Sequence, residues 1–253
     1  MREIAGSFRN DLELIDRKAI SALVYAAAGL AAIYYLKDQQ AAATFLHGTI
    51  LDPLGQVIVD HSENNLAALA WWVGVVTVFY FVVPASVIVF GWKQSLANYG
   101  LNFRIEQDFW RVFAGCVVVM LPLVYWAAKT GEFAAKYPFF RVYNGEHYIG
   151  QAFLIWELIY FLQFFGLEFF FRGFLVHSLK PALGIYSIFV MTVPYTMIHF
   201  GKPPAETFAA VLAGIFLGWL SYRNGNIWMG LLLHCSVAFS MDFLALYHKG
   251  LLL

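Results

Sequence analysis

Four ionisable side chains lie inside long apolar runs of the sequence. Glu168 and Arg172 belong to FLQFFGLEFFFRGFLVH, whereas His199 belongs to PYTMIHF and His234 to GLLLHCSVAF. A single charge at the centre of a membrane span costs about 2.5–3.5 kcal/mol on insertion scales. One carboxylate and two imidazoles on three different helices can transfer protons and stabilise an oxyanion. This set therefore predicts acid–base chemistry inside the protein.

The spacing of these charges predicts a polar face on one helix. Glu168 and Arg172 are four residues apart, so they lie one turn apart and can pair. Gly166 and Gly173 flank them and allow another element to approach closely. Glu157 precedes Glu168 by eleven residues, about three turns, and therefore lies on nearly the same face. This face is predicted to look into the protein or into a wet cavity rather than into lipid.

Each of these residues also has a purely structural interpretation. The Glu168–Arg172 pair can serve only to fix helix packing. His199 stands next to the loop sequence GKPP and can be an interfacial residue, and His234 can bond a neighbouring carbonyl group. Asp242 follows His234 by eight residues and is interpreted as a residue of the outer membrane interface. All four residues together are less common than any one of them alone. Their joint presence therefore favours a catalytic role over the separate structural interpretations.

The order of these residues resembles the CPBP family, the CAAX-processing and bacteriocin-processing membrane proteases that are also called Abi proteins. The family pattern is Glu-Glu-x-x-x-Arg, then Phe-x-x-x-His, then His-x-x-x-Asn or a similar residue. Residues 167–172 (LEFFFR), 195–199 (YTMIH) and 234–238 (HCSVA) match these three motifs in order. The resemblance covers residues 161–242. It implies a helical membrane fold with a conical, water-filled cavity.

The resemblance also implies a reaction and its residues. Glu168 and His199 would activate a water molecule for peptide-bond hydrolysis, His234 would donate to the oxyanion, and Arg172 would orient Glu168. The implied substrate is a membrane-anchored protein or peptide, and no cofactor is expected. Zn²⁺ bound by Glu168, His199 and His234 is the mechanistic alternative, although the sequence has no HExxH motif.

Two positions differ from the family pattern and motivate a different class of function. Leu167 occupies the position of the first Glu, which the family uses to activate water, and Ala238 occupies the position of the Asn. The second hypothesis is a catalytically inactive member that acts as a membrane scaffold or as an immunity or sorting factor. A third is a small-solute transporter, which the lack of evident internal repeats argues against.

Composition defines the elements that must position these residues. The chain of 253 residues is 61% hydrophobic and 13% charged, about half the usual ~25% charged fraction. This predicts an all-α polytopic membrane helix bundle, with about seven to eight transmembrane helices around a central polar cavity. Seven runs approach the ~20 residues needed to cross a bilayer; they are 19–36, 66–92, 112–128, 151–176, 183–200, 206–222 and 227–247. An element within 129–141 would add an eighth crossing.

The chain is interpreted as one membrane-embedded domain, residues 1–253, with a CPBP-like catalytic core at 151–247. Sixteen Lys and Arg balance sixteen Asp and Glu, so nothing indicates nucleic acid as a partner. The first 18 residues are predicted to be an amphipathic lead-in. The expected partners are the lipid bilayer and a membrane-anchored substrate, and the expected location is a bacterial inner membrane.

These span boundaries place the candidate residues at different depths. Glu168 and His234 would lie about 10–12 Å from the inner edge, and His199 about 24 Å from it. A shared site therefore requires an oblique helix, a kink at Pro194, or a different span boundary.

Overall fold

The computed structural model describes residues 16–59, 66–140 and 151–251. The predicted all-α fold is confirmed, since the described residues are 81% helical and contain no strand. Most of the predicted amphipathic lead-in, residues 1–15, lies outside these ranges.

Ten helices and one 3₁₀ turn follow one another through the described ranges. The first six helices are α1 (Arg17–Leu36), α2 (Gln39–Leu46), α3 (Asp52–Val59), α4 (Leu66–Gly91), α5 (Phe109–Ala127) and α6 (Gly131–Lys136), with the 3₁₀ turn Leu96–Tyr99 after α4. The continuous helix α7 has three parts, Gln151–Glu168, the π-helical Phe169–Leu175, and Val176–Leu183. It is followed by α8 (Tyr186–Met197), α9 (Pro204–Asn224) and α10 (Trp228–His248).

Six helices of the described ranges are long and apolar enough to cross a membrane, namely α1, α4, α5, α7, α9 and α10. This number is smaller than the predicted seven to eight because two predicted spans are short. The run 183–200 contains α8, whose 12 residues extend only about 18 Å. The described part of 129–141 contains α6, which has six residues.

The end of α7 removes the conflict between the predicted depths of Glu168 and His199. The helix continues to Leu183, seven residues beyond the predicted boundary at Val176. Glu168 therefore lies about 20 Å from the end of α7, and His199 lies about 20 Å from the start of α8. Because α8 begins directly after α7, the two residues are at similar depth. The boundary was the source of the mismatch.

One end of the bundle is closed by a loop that packs against the start of α10. Gly100 has a φ of 89°, a backbone conformation that glycine adopts without strain, and it bridges to Asn226. The Asn102 side chain donates to the carbonyl group of Gly225, and the indole of Trp228 donates to the carbonyl group of Asn102. These bonds fix where α10 starts and therefore where its side chains lie.

Aromatic side chains of α7 form the centre of the core. Four phenylalanines of its π-helical part are at most 1% exposed, and they are Phe169, Phe170, Phe171 and Phe174. Phe170 stacks on Tyr80 of α4 at 4.9 Å between ring centroids. The close approach predicted at the two glycines is confirmed. A Cβ at Gly166 would lie 3.4 Å from Tyr80, and one at Gly173 would lie 2.5 Å from the carbonyl oxygen of Tyr99.

Gly173→Ala is expected to lower the free energy of unfolding by about 1–3 kcal/mol, because the added methyl group meets a backbone atom that cannot rotate away. Unfolding in mixed detergent micelles measures this change. The control is Gly115→Ala in α5, where a Cβ meets nothing within 4 Å. Alanine there is expected to keep or raise stability. Equal stability of the two variants would contradict the close approach at Gly173.

Candidate functional site

The predicted pairing of Glu168 with Arg172 is confirmed. Oε1 of Glu168 lies 3.0 Å from Nη1 of Arg172, and both side chains are 0% exposed. Glu168 is the last residue of the first α-helical part of α7, and Arg172 belongs to the π-helical part. The two charges therefore compensate each other across the junction of the two helical geometries, in the middle of the longest helix.

His234 brings α10 into contact with this pair. Its Nδ1 atom lies 2.7 Å from Oε1 of Glu168, and its ring stacks on Phe164 at 5.4 Å between centroids. The approach depends on Gly230, one turn earlier in α10. A Cβ at that position would overlap the Glu168 carboxylate, at 2.8 Å from its Cδ. The sequence therefore provides the space for the contact on the same face of α10 that carries His234.

Tyr195 of α8 joins these groups and was missed by the sequence reasoning. Its hydroxyl group lies 3.0 Å from Nε2 of His234. The guanidinium carbon of Arg172 lies 3.8 Å from the centroid of the Tyr195 ring, a cation–π contact. The available signal was the tyrosine itself, which replaces the phenylalanine of the second family motif and adds a hydroxyl group in a buried position.

His199 lies beside this group, on the other side of Tyr195. It is 8% exposed, its Nδ1 atom is 2.9 Å from the carbonyl oxygen of Tyr195, and the two rings are 4.9 Å apart between centroids. The structure thus places Glu168, Arg172 and His234 in direct contact and connects His199 to them through Tyr195.

Polar contacts at the start of α9 hold the segment that carries His199. Thr207 donates to the carbonyl oxygen of His199 at 2.9 Å. Glu206 accepts from Lys202 and from the hydroxyl group of Tyr137, both at 2.7 Å. Burial raises the pKa of Tyr137 well above its usual value, so this hydroxyl group keeps its proton and remains a donor.

The two positions that differ from the family pattern are packing positions. Leu167 is 4% exposed and belongs to the apolar cluster that contains Tyr80 and Phe171. Ala238 is 5% exposed and belongs to a second cluster with Trp156. The carboxylate that contacts His234 is that of Glu168.

A second buried acidic pair lies further along the same two helices. Asp242 is 0% exposed and Glu157 is 5% exposed, and their carboxyl groups face each other within hydrogen-bonding range. The interpretation of Asp242 as an interfacial residue did not include this burial, since α10 packs Asp242 against Trp156 and Glu157 of α7. The predicted polar face of α7 is consequently divided into two centres.

The zinc alternative requires Glu168, His199 and His234 to lie close to one another. Within the described ranges, no group of three or more His, Cys, Asp and Glu side chains has the required proximity.

Part of the chain is similar to a known protein family. Residues 149–240 match the family model described as "Type II CAAX prenyl endopeptidase Rce1-like". The match confirms the resemblance to the CPBP family, and at the level of the family it supports a CAAX-protease-like endopeptidase of the membrane. The matched range contains the four residues that the sequence analysis selected. No curated protein and no solved structure shows significant similarity to the chain.

Arg172→Met is expected to lower the free energy of unfolding by about 3–5 kcal/mol, because it leaves the carboxylate of Glu168 buried without its cation. The double variant Glu168→Leu/Arg172→Met should recover most of this loss, since no buried charge remains. Unfolding in mixed detergent micelles measures both.

The matched control is Arg111→Met. It breaks the Asp108–Arg111 pair, which is 3.6 Å long and whose side chains are 71% and 89% exposed, and little change is expected. If Glu168→Leu/Arg172→Met loses as much stability as the single variants Glu168→Leu and Arg172→Met together, the two charges do not compensate each other.

Proposed function

We propose that the protein is an intramembrane endopeptidase that hydrolyses a peptide bond of a membrane-anchored protein or peptide, in the inner membrane of a bacterium. The observation that supports this most is the carboxylate of Glu168, which is paired with Arg172 and His234 inside the range that matches the CAAX endopeptidase family. The proposed catalytic core is 151–247 within a single membrane domain.

Glu168 has one oxygen for structure and one for chemistry. Both ionic contacts use Oε1, at 3.0 Å from Arg172 and 2.7 Å from His234. Oε2 forms no hydrogen bond with any described residue. Once Oε2 is accessible, a water molecule bonded to it would transfer one proton there while the water oxygen attacks the scissile carbonyl carbon. Glu168 would then pass this proton to the leaving amine as the C–N bond breaks. Arg172 holds the carboxylate in the orientation that this requires.

The two histidines have different contacts and therefore different proposed roles. His234 uses both ring nitrogens, Nδ1 for Glu168 and Nε2 for the hydroxyl group of Tyr195. His199 uses Nδ1 for the carbonyl oxygen of Tyr195, which requires a proton on Nδ1 and leaves Nε2 as an acceptor. His199 is thus the imidazole that is ready to accept a proton from water. The contacts favour His234 as the residue that orients Glu168, rather than as the oxyanion donor that the sequence predicts.

Hydrolysis also requires access for water and substrate. Glu168 and Arg172 are fully enclosed, whereas the side chain of His234 is 18% exposed. We infer that substrate enters along His234 and that α10 moves outward to admit it. A wide, water-filled cavity around Glu168 remains a prediction for that open state.

Glu168→Gln is expected to lower the cleavage rate of membrane-anchored peptides at least about 100-fold, because glutamine cannot accept the proton of water. His199→Ala should show a loss of similar size. Incubation of the reconstituted protein with a panel of such peptides, followed by mass spectrometry, measures the products. Glu132→Gln on the exposed helix α6 is the matched control and should cleave as the wild type does. Equal cleavage by the wild type and Glu168→Gln would rule out this mechanism.

The alternative of an inactive membrane scaffold or an immunity or sorting factor is favoured by one feature, the complete enclosure of Glu168 together with apolar packing at Leu167 and Ala238. It predicts that the wild type cleaves no peptide in the panel and that cells carrying Glu168→Gln or His199→Ala keep the wild-type phenotype. The same two variants therefore separate the two functions.

We also propose that water is activated without zinc. Elemental analysis of the purified protein is expected to show far less than one zinc per chain, and cleavage should persist after treatment with a chelator, because Glu168 and His234 contact each other directly. One zinc per chain in the wild type, lost in His234→Ala, would instead indicate a metalloprotease.

A further inference from the structure

A cavity of about 320 Å³ lies at the end of the bundle where α1 begins and α4 and α7 end. This volume is near the lower limit of the range of roughly 300–1,000 Å³ for small-molecule sites. Its lining includes Lys18 of α1, Gln94 after α4, and both His177 and Lys180 of α7. Two of the membrane-spanning helices, α1 and α7, and the segment that follows α4 therefore contribute to one pocket at the level of the helix ends.

The two lysines of this pocket are bonded to neutral oxygens only. Nζ of Lys18 donates to Oε1 of Gln94 at 3.1 Å, and Nζ of Lys180 donates to the carbonyl oxygen of Tyr222 at 2.8 Å. Each ammonium group has three donors, so donors remain on both. Within the described ranges, neither ammonium group forms an ion pair with a carboxylate. The nearby carboxylate of Asp16 accepts from the backbone N–H groups of Lys18 and Ala19.

Aromatic rings hold the two ammonium groups in place. Nζ of Lys18 lies 4.8 Å from the ring centroid of Tyr99 and 5.3 Å from that of Trp92. Nζ of Lys180 lies 4.1 Å from the ring centroid of Tyr222. Such contacts attract a cation without neutralising it. The pocket therefore has two positioned positive charges, and neither forms an ion pair with a carboxylate of the described ranges.

The wall of the pocket formed by α7 is also fixed. Ser221 of α9 donates its hydroxyl proton to the carbonyl oxygen of Arg172 at 3.0 Å. Because that proton is already used, Nε2 of His177, at 3.1 Å, must be the donor to the oxygen of Ser221. His177 and Lys180 are consequently held on a helix segment that two bonds attach to α9.

We propose that this pocket binds the phosphate group of an anionic ligand, with Lys18 and Lys180 as its charge partners. Phosphate accepts several hydrogen bonds, and its negative charge would give the two ammonium groups the anionic partner that they lack. Basic pockets between membrane helices bind anionic lipid headgroups, and the position at the helix ends favours phospholipid over free phosphate. This site is separate from the hydrolytic residues, so its test does not depend on cleavage.

The experiment is a titration of detergent-purified protein with phosphatidylglycerol or phosphatidylcholine, followed by native mass spectrometry. The variant Lys18→Gln/Lys180→Gln should bind phosphatidylglycerol more weakly by about five-fold per lysine, with little change for phosphatidylcholine. Lys37→Gln/Lys129→Gln is the matched control. It also removes two lysines that contact aromatic rings, at 5.9 and 4.2 Å from the centroids of Tyr34 and Tyr125, but outside this pocket.

A second arm adds inorganic phosphate without lipid and follows thermal unfolding. Stabilisation of the wild type that the Lys18/Lys180 variant lacks would show that the phosphate group alone is sufficient. A difference with lipid only would identify the phospholipid as the source. Lys18→Arg/Lys180→Arg should keep binding and shows that charge, rather than folding, is measured. Equal binding of phosphatidylglycerol and phosphate by the Lys18/Lys180 and Lys37/Lys129 variants would overturn the proposal.

Discussion

The arrangement of the helices depends on the compensation of one buried charge pair. A carboxylate and a guanidinium group without solvent exposure are stable in a membrane domain only when each has a close partner of opposite charge and further polar contacts. Here both members of the pair belong to α7. The further polar contacts come from Tyr195 of α8, which contacts Arg172, and from His234 of α10, which contacts Glu168. Glu168, the group proposed to activate water, thus also belongs to the set of contacts that joins α7, α8 and α10.

Small residues allow this compensation to occur at close range. Gly230 lets α10 reach the carboxylate of Glu168, and Gly173 lets the 3₁₀ turn after α4 reach α7. The π-helical part of α7 contains Gly173 and also carries Arg172 among buried phenylalanines. π-Helical turns are frequent at functional sites, and here one adjoins the residue proposed to activate water. The same few turns of α7 therefore carry both the buried charged residues and the phenylalanines of the apolar core.

The sequence predicted the helical membrane fold and the Glu168–Arg172 pair because apolar runs and spacing of four residues are local signals. It did not predict the partners that come from tertiary packing. Tyr195 looked like a substitute for phenylalanine, and Asp242 looked interfacial, because the rotation of α8 and α10 about their axes is not encoded in span length. The depth of Glu168 was misjudged for a different reason: α7 continues as an α-helix for seven residues beyond Val176, through a segment that contains the polar residues His177 and Lys180.

The length of α7 has a mechanical consequence. Its 31 residues from Phe153 to Leu183 extend about 46 Å, compared with about 30 Å for the hydrocarbon layer of a bilayer. Such hydrophobic mismatch is relieved by leaning of the helix or by local thickening of the lipid. Because Glu168 lies near the middle of this helix and the basic pocket near its end, a change in lipid chain length would reorient both at once. A change in membrane thickness would therefore act on the proposed catalytic residue and on the basic pocket through the same helix.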